Sequence, residues 1–196
     1  MSDAFLERWL EEVVATPGLT GLSSLADARR VLLDDALRAA PIVRDVPGPA
    51  VDVGSGGGSP GIPLAAVLPD RRFTLLEAEL RKADFLRRVA SDLANVEVVW
   101  GRAEEQPTDA FGVALAKALA KPPVAAELTL PLVRPGGIAV LWTGETAEPE
   151  RVARVRALLG SELERESDGL LVLRKLGPTP PGFPRRSGMP KKRPLA

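Results

Sequence analysis

Three residue types are missing from this chain, and each absence removes a class of chemistry. The 196 residues include no cysteine, no histidine and no tyrosine. Without cysteine the chain cannot form disulfides, thiolate nucleophiles or thiolate metal sites. Without histidine it lacks the commonest metal ligand and general base, and it cannot build a Ser-His-Asp triad. Any reaction catalysed by this chain must therefore proceed without those groups.

Net charge and long apolar runs are also missing. The 26 basic side chains balance 26 acidic ones, so any basic surface must be local. No apolar run is long enough to span a bilayer. The N-terminus MSDAFLERWLEEVV carries early acids instead of the apolar core of a signal peptide. We expect a cytoplasmic chain with one main domain, acting as a monomer without membrane partners or metal.

The regular feature of the chain is an alternation of short β-branched runs with longer helical patterns. Strands are predicted at 50–53, 73–78, 96–100, 111–116, 137–142 and 169–175, with a short strand over ELERE. Helices are predicted at 60–68, 79–94, 122–134 and 147–160. This alternation predicts an α/β fold with a mostly parallel seven-stranded sheet and helices on both faces. The last two strands have no helix between them, so they should form an antiparallel edge hairpin.

Two segments flank the α/β domain, which is predicted over residues 46–176. Residues 1–45 should form an N-terminal helical extension, with helices over DAFLERWLEEVV and SSLADARRVLLDDALRAAP, the second ended by Pro41. Residues 177–196 are rich in proline and basic residues and contain no acid, which is typical of a disordered or surface-hugging tail. Core positions are predicted for the three tryptophans, Trp9, Trp100 and Trp142.

A glycine cluster separates the first predicted strand from the next helix. In AVDVGSGGGSPGIPLAAVLPD, the glycines allow positive φ and close approach of a ligand to the backbone. Ligands of open α/β sheets bind beyond the carboxyl ends of the strands, so this turn is a candidate binding site. The spacing is G-x-G-x-G and not the G-x-G-x-x-G of dinucleotide sites. Alone it is a weak signal, because a tight corner also explains it.

Two acidic residues favour S-adenosylmethionine as the ligand of this turn. Asp52 precedes Gly54 by two residues, where it can attract an ammonium group directly or through water. Glu77 ends the next predicted strand, where a carboxylate can accept both ribose hydroxyls. S-adenosylmethionine has no phosphate, so it depends on close backbone approach more than on a helix N-terminus.

Four stretches resemble a known enzyme family. VDVGSGGGSPGIPLA, FTLLEAELRKADFLRRV and NVEVVWGRAEE are similar to the bacterial 16S (small-subunit) rRNA guanine-N7 methyltransferases, also called the glucose-inhibited division protein B family. GFPRRSGMPKKRPL resembles the family's C-terminal signature, and the likeness runs from about residue 19 to the end. The resemblance implies a Rossmann-like class I S-adenosylmethionine-dependent methyltransferase fold. It also implies methylation of guanine N7 in 16S rRNA or a small ribosomal subunit particle.

The resemblance implies which residues hold the cofactor. The cofactor would lie against Gly54 and Ser59, with its ribose on Glu77. Its adenine would lie between Ala103 and Glu104. The full set expected to bind the cofactor is Asp52, Gly54, Ser55, Gly56, Gly58, Ser59, Glu77, Ala78, Ala103, Glu104 and Lys117.

The chain departs from the family pattern at several polar positions. Lys117, near the cofactor and target base in the family pattern, replaces the usual arginine. Leu32 stands in place of a histidine, Ala36 in place of a serine and Thr143 in place of a lysine. These changes leave two alternatives open. One is a methyltransferase whose acceptor is another RNA or a small molecule, and the other is a non-catalytic rRNA-binding assembly factor.

The implied reaction suits a chain without histidine, cysteine or tyrosine. Guanine N7 carries an exposed lone pair and no proton, so its methylation needs no general base and no catalytic side chain is expected. Alignment of the reactants can contribute roughly 7–11 kcal/mol. Cytosine-C5 methylation is excluded because it needs a thiolate. The segment KPPVA lacks the polar and aromatic residues of an exocyclic-amine methyltransferase motif, and it is expected to start a helix.

Local basic residues are expected to bind the RNA. Arg81 and Lys82 open the helix after Glu77, although a solvated helix face explains them almost as well. The tail supplies a basic arm whose phosphate contacts should weaken with salt. Because the arm follows the last strand, its removal is expected to leave cofactor affinity intact. The residues expected to bind RNA are Arg81, Lys82, Lys117, Arg185, Arg186, Lys191, Lys192 and Arg193.

Overall fold

A single twisted sheet organises the chain. The computed structural model describes residues 2–144 and 148–196. Within them the strands are β1 Ala50–Val53, β2 Phe73–Glu77, β3 Val96–Trp100, β4 Phe111–Lys117, β5 Val133–Trp142, β6 Ser161–Ser167 and β7 Leu170–Lys175. Their order is β3-β2-β1-β4-β5-β7-β6. Strands β1 to β5 are parallel, whereas β7 pairs antiparallel with both β5 and β6. The predicted sheet and its edge hairpin are confirmed.

Helices cover both faces of this sheet. Their bounds are α1 Ser2–Ala15, α2 Leu25–Ala28, α3 Asp35–Leu37, α4 Ala40–Asp45, α5 Gly61–Val67, α6 Leu80–Val89, α7 Pro122–Thr129, α8 Pro149–Leu158 and α9 Met189–Lys192. Short 3-10 turns span Ala103–Glu105 and Leu130–Leu132. No helix in the described residues is long and apolar enough to cross a membrane.

The central strands are buried because both of their faces are covered. Successive residues of a strand point to opposite faces of the sheet. Val51 and Val53 therefore pack in the cluster that contains α7 and α8, whereas Ala50 packs in the cluster that contains α4 and α5. The charged residue of β1, Asp52, is also buried. Such burial is costly for a carboxylate, so Asp52 needs a specific explanation.

A third apolar cluster attaches the N-terminal extension to the sheet. α1 forms over the predicted segment and buries Trp9 and Val13. These residues pack with Ile62 of α5, Leu75 of β2 and Phe85 of α6. The extension is therefore part of the domain core. Its position next to β2 and α5 brings it close to the glycine turn.

The second N-terminal helix differs from its prediction. It consists of α2, a π-helical turn (Arg29–Asp34) and α3, and the chain then turns before α4. Pro41 does not end a helix, because it lies in the first turn of α4. The first turn tolerates proline since its N–H groups have no helical acceptor. A proline in this sequence therefore marked the beginning of a helix.

The prediction that all three tryptophans lie in the core is wrong for one of them. Trp9 is buried and Trp142 is half-buried, but Trp100 is 56% exposed. Trp100 ends β3, which lies at one edge of the sheet. Its indole N–H donates to the Ala78 carbonyl at 3.1 Å. An aromatic residue at a strand end can thus be predicted as core although its strand is an edge strand.

The chain beyond β7 packs against the domain, and we call residues 176–196 the C-terminal strap. Its first anchor is near Lys175, whose Nζ is fully buried and donates to Thr179 Oγ1 (2.8 Å) and the Leu130 carbonyl (3.0 Å). Burial lowers the pKa of Lys175, and Asp109, 3.3 Å away, opposes that shift. The Thr179 N–H also donates to the Asp109 carboxylate. The strap is therefore surface-hugging, and it starts at the amino ends of the parallel strands.

Candidate active site

A cleft lies at the carboxyl ends of the parallel strands. It encloses about 370 Å³, within the range of small-molecule sites. β1 stands between β2 and β4, so the strand order reverses beside it, which is where open α/β sheets bind ligands. The walls are Val13, Leu19, Leu32, Val53, Gly54, Ser55, Gly56, Gly57, Ser59, Leu76, Glu77, Ala78, Lys82, Gly101, Arg102, Ala103, Glu104, Lys117, Ala118, Leu119, Leu128, Gly188 and Lys191.

The glycine turn presents bare backbone to this cleft. Gly54 and Gly56 have φ of +73° and +54°, a region that side-chain-bearing residues rarely adopt. Within 4 Å of a Cβ on Gly56, and apart from its chain neighbours, the described residues place only the Gly54 carbonyl oxygen, at 3.9 Å. A Cβ on Gly54 would meet Leu119 Cδ1 at 2.5 Å. Gly56 therefore leaves ligand space free, whereas Gly54 makes room for the neighbouring turn of the protein itself.

Gly58 is buried, packs against the protein and does not line the cleft, and its expected contact with the cofactor stays a prediction. A Cβ there would collide with Ile62 Cδ1 at 2.4 Å, and Trp9 Nε1 would lie at 3.1 Å. The sequence pattern could not separate this glycine from Gly56, because both belong to one run. Gly58 permits close packing of α1 and α5 beneath the turn.

Glu77 connects the end of β2 to the glycine turn. Its carboxylate lines the cleft, and Oε2 accepts the Gly56 N–H at 2.9 Å. Oε1 accepts the Glu79 N–H at 2.8 Å. Each carboxylate oxygen has a second lone pair, so both can still accept a ligand hydroxyl. The exposed Ala78 beside it also lines the cleft.

Asp52 lies behind the wall of the cleft. Its Oδ2 accepts the Gly61 N–H at 3.0 Å, at the start of α5, and it does not line the cleft. Within the described residues, Oδ1 is the buried side-chain atom that has no hydrogen-bond partner. Burial raises the pKa of Asp52 to about 7, and the Glu77 charge contributes to the rise. Asp52 therefore anchors the start of α5 from behind the wall of the cleft, and its expected attraction of a ligand ammonium group, directly or through water, stays a prediction.

The N-terminal π-helical turn closes one end of the cleft. Ser59 Oγ donates to the Leu32 carbonyl at 2.7 Å, and Lys117 Nζ donates to the Val31 carbonyl at 2.8 Å. Lys117 also lies 3.5 Å from Asp35 Oδ2, and its side chain is only 11% exposed. Leu32, at the position of the family's histidine, lines the cleft. Ser59 and Lys117 therefore hold this turn in place as well as lining the cavity.

The segment after β3 forms the opposite wall. Ala103 and Glu104 line the cleft as expected, and Gly101 and Arg102 join them. The motif GRAEE pointed to this segment, but not to Gly101 and Arg102 individually. Ala118 was also missed, and it has a φ of +54°. Backbone strain of this kind in a residue other than glycine is common at functional sites. An alanine in the sequence gives no sign that its φ will be positive.

The basic residues expected to bind RNA occupy different environments. Lys82 and Lys191 line the cleft, whereas Arg186, Lys192 and Arg193 are exposed on the strap. The Arg81 side chain is exposed, and its guanidinium donates to the Pro17 carbonyl at 3.0 Å.

Arg185 differs from the other basic residues of the strap. It forms a bidentate pair with Glu127, at 2.6 and 2.8 Å. Glu127 belongs to α7 and is only 3% exposed. The guanidinium is therefore committed to a contact inside the chain, which corrects its expected position in a free RNA-binding arm.

The cleft fits S-adenosylmethionine by its shape and donor set. Open backbone at Gly56 permits close approach, and Glu77 offers acceptor lone pairs for ribose hydroxyls. Buried Asp52 places a carboxyl group with an unpaired oxygen behind the same turn. The ligand carries a sulfonium and an ammonium group, so carboxylates around the turn suit its charge.

Comparisons with known proteins agree with this geometry. The family model for GidB, rRNA small subunit methyltransferase G, matches residues 4–167. The ribosomal RNA small subunit methyltransferase G of Rubrobacter xylanophilus is 39% identical, covering 89% of this chain and 72% of that protein. The protein of the same name from a Synechococcus strain is 33% identical, covering 92% of this chain and 79% of that protein. These relatives match the chain over most of its length.

Solved structures show the same fold at low sequence identity. A Corynebacterium glutamicum protein superposes with a TM-score of 0.62 at 16% identity, covering 89% of this chain and 90% of that one. A T. thermophilus 16S rRNA methyltransferase, solved with AdoMet and guanosine, gives a TM-score of 0.54 at 18% identity, covering 78% of this chain and 42% of that one. The fold is that of class I methyltransferases. The chain belongs to the rRNA small subunit methyltransferase G family and is an S-adenosylmethionine-dependent rRNA methyltransferase.

Proposed function

We propose that the cleft binds one S-adenosylmethionine and that the enzyme methylates N7 of a guanine in 16S rRNA. The observation that carries this proposal is the pairing of Gly56 with Glu77. One residue supplies bare backbone and the other a carboxylate, and the two are joined by a 2.9 Å hydrogen bond at the carboxyl ends of β1 and β2. We place the ribose on Glu77, the adenine beside Ala103 and Glu104, and the methionine end along the glycine turn.

In this mechanism the residues of the chain bind the cofactor and the guanine, orient them relative to each other and exclude water. When bound, the cofactor supplies an electrophilic methyl group on its sulfonium. With Glu77, Ala103, Glu104 and the glycine turn holding the cofactor, this methyl group would be available to the N7 lone pair of the guanine, and the electron pair of the broken carbon–sulfur bond would remain on the departing cofactor. The products are N7-methylguanine, which carries the positive charge, and S-adenosylhomocysteine. No proton moves, so the lining carboxylates need not act as bases.

A second hollow adjoins the cleft and is the place we assign to the target guanine. It encloses about 480 Å³ and shares Lys117 and Ala118 with the cofactor cleft. Asp35 and Trp142 also line it. A base in this hollow would lie across the β4 turn from the cofactor, with an aromatic side chain available for stacking. The cation of Lys117 does not assist formation of a positively charged product, so its contribution is to position groups around the reaction.

The RNA backbone is expected to contact the exposed cations around the mouth of the cleft. Arg102 and Lys191 are exposed and line the cleft, and Arg186, Lys192 and Arg193 are exposed on the strap. The chain as a whole is neutral, so this local concentration of positive charge gives the binding its direction. Phosphate contacts of this kind are independent of sequence and weaken as salt is added. A ribosomal particle as the substrate is compatible with the same surface.

Mapping N7-methylguanosine in rRNA tests the proposed reaction. We expect one 16S rRNA position to lose the modification in cells that lack the gene and to regain it with the wild-type gene. Calorimetry should show one S-adenosylmethionine per chain. Cofactor binding with unchanged rRNA modification would favour an enzyme with a different acceptor. A purified protein that binds rRNA but no cofactor would contradict the proposal and favour an assembly factor.

A further inference from the structure

The C-terminal strap forms part of the cofactor cleft. Gly188 and Lys191, which belong to the strap, line the same cavity as the glycine turn. The Gly188 N–H donates to Glu104 Oε1 at 2.7 Å, on the wall that we assign to the adenine. Ser187 Oγ donates to Glu105 Oε1 at 2.7 Å in the same turn. This wall is therefore assembled from two segments that lie more than 80 residues apart in sequence.

Arg185 holds both ends of the strap segment that reaches the cleft. Its Nε and Nη2 donate to the two carboxylate oxygens of Glu127, and Nη2 also donates to the Arg193 carbonyl at 2.8 Å. The segment between them, residues 186–192, contains Gly188 and Lys191. Bidentate arginine–carboxylate pairs are strong and directional. Because Glu127 is buried, loss of this pair would leave a buried carboxylate unpaired, which is strongly unfavourable.

We propose that Arg185 is a positioning residue for cofactor binding. It does not touch the cofactor, but it fixes residues 186–192 as the cleft wall beside Glu104. This inference rests on the proposed placement of the adenosine in the cleft. It assigns different roles to two adjacent arginines: Arg185 belongs to the cofactor site and Arg186, which is exposed, to the RNA surface. It also replaces the expectation that removal of the basic arm leaves cofactor affinity intact.

The two arginines form a matched pair for the experiment. The variants Arg185→Ala and Arg186→Ala remove the same side chain from neighbouring positions. Binding of S-adenosylmethionine, S-adenosylhomocysteine and adenosine is measured by calorimetry well below the melting temperature. We expect Arg185→Ala to weaken all three by a common factor of about tenfold, a usual effect of losing well-placed contacts. Arg186→Ala should leave these affinities at the wild-type value.

Two further variants separate positioning from folding. In Glu127→Leu combined with Arg185→Ala, no buried carboxylate is left unpaired, so the domain should fold while the strap remains unclamped. It should show the same loss of affinity as Arg185→Ala. Arg185→Lys keeps the charge but not the planar fork, so it should recover only part of the affinity.

The outcomes distinguish this inference from the proposed function. Wild-type affinity in the folded Arg185→Ala protein, or in the double variant if the single one does not fold, would overturn the role of Arg185. A loss of S-adenosylmethionine affinity without a loss of adenosine affinity would contradict the proposal that residues 186–192 form the wall beside the adenine. A wild-type protein that binds no S-adenosylmethionine would instead overturn the proposed site itself.

Discussion

Single residues in this cleft have structural roles beside the ligand-binding roles that we propose for them. Glu77 accepts N–H groups from Gly56 and Glu79, so the carboxylate shapes the glycine turn before any ligand arrives. Asp52 anchors α5 through the Gly61 N–H, behind the same turn. The two carboxylates lie close enough for the charge of one to raise the pKa of the other.

The first residue-scale prediction concerns Glu77. Glu77→Ala removes the expected ribose acceptor and frees two backbone N–H groups, so cofactor affinity should fall by about 1–3 kcal/mol or more. The matched control is Glu79→Ala, because Glu79 is exposed and its side chain pairs only with Arg81 and Lys82 among the described residues. Calorimetric titration with S-adenosylmethionine compares the two. Equal affinities for both variants would contradict the ribose assignment.

The second residue-scale prediction is that Asp52 makes the free energy of unfolding depend on pH. Because its pKa rises from 3.8 to about 7 on folding, the folded protein holds a proton that the unfolded chain releases. Asp52 therefore contributes stability that is complete below about pH 4 and is lost as the pH rises through 7. Asp52→Asn keeps an acceptor for the Gly61 N–H and does not titrate. Between pH 5 and 8, the free energy of unfolding of this variant should fall less than that of the wild type, by as much as about 3 kcal/mol.

Denaturant unfolding of the cofactor-free protein at several pH values measures this difference. The cofactor must be absent, since its positive charge would favour the ionised carboxylate. Parallel pH profiles for the wild type and the Asn variant would mean that Asp52 titrates near its ordinary pKa. In that case the unpaired Oδ1 would have a partner, such as a buried water molecule.

At the scale of elements, β4 is joined to the N-terminal extension at the cleft. Lys117 ends β4 and donates to the Val31 carbonyl in the π-helical turn, and Asp35 at the start of α3 lies beside it. Ser59 makes the equivalent connection from the glycine turn to Leu32. Part of this turn therefore forms a wall of the cleft.

The element-scale prediction compares two replacements of Lys117. Lys117→Arg keeps the charge and can pair with Asp35 by two hydrogen bonds, so activity should stay near the wild-type level or rise. Lys117→Met keeps the aliphatic stem but loses the charge, so turnover on rRNA should fall several-fold. Methyl transfer from labelled S-adenosylmethionine to 16S rRNA provides the measurement. Similar rates for Met and Arg variants would show that only packing matters at this position.

At the scale of the whole molecule, exposed cations lie at both the carboxyl ends and the amino ends of the parallel strands. The exposed cations Arg186, Lys192 and Arg193 belong to the strap, which reaches the carboxyl ends of the strands. Arg44 and Arg72 are also exposed, but they lie near the amino ends of the parallel strands, by the start of β1 and β2. Of these two groups, the one on the strap is near the cleft, although the sequence alone does not separate them.

The whole-molecule prediction uses this difference. Replacing Arg186, Lys192 and Arg193 by alanine should weaken rRNA binding and reduce the slope of log affinity against log salt by about 2, since each phosphate contact contributes about 0.7–0.9. Replacing Arg44 and Arg72 should change neither quantity. Affinity for a 16S rRNA fragment over a salt series gives both slopes. An unchanged slope for the strap variant would remove the strap from the RNA surface.

The local sequence pattern was sufficient to predict much of the secondary structure and part of the candidate site. Strand β1 was predicted at its observed bounds, and the succession of strands and helices along the chain followed from hydrophobic runs and turn residues. These features are set by side chains near one another in sequence. The glycine turn and Glu77 were found for the same reason, because a parallel sheet brings successive strand ends to one edge.

Contacts between distant segments were decided only by the tertiary structure. Gly56 and Gly58 are indistinguishable in sequence, yet one faces the cleft and the other packs against Trp9 and Ile62. Arg185 and Arg186 are neighbours, yet only Arg185 meets Glu127, 58 residues away. The sequence by itself determined the sheet, the family and the location of the glycine turn. The division of its glycines and arginines between core, cleft and surface came from packing, since burial and pairing depend on what the fold places opposite each side chain.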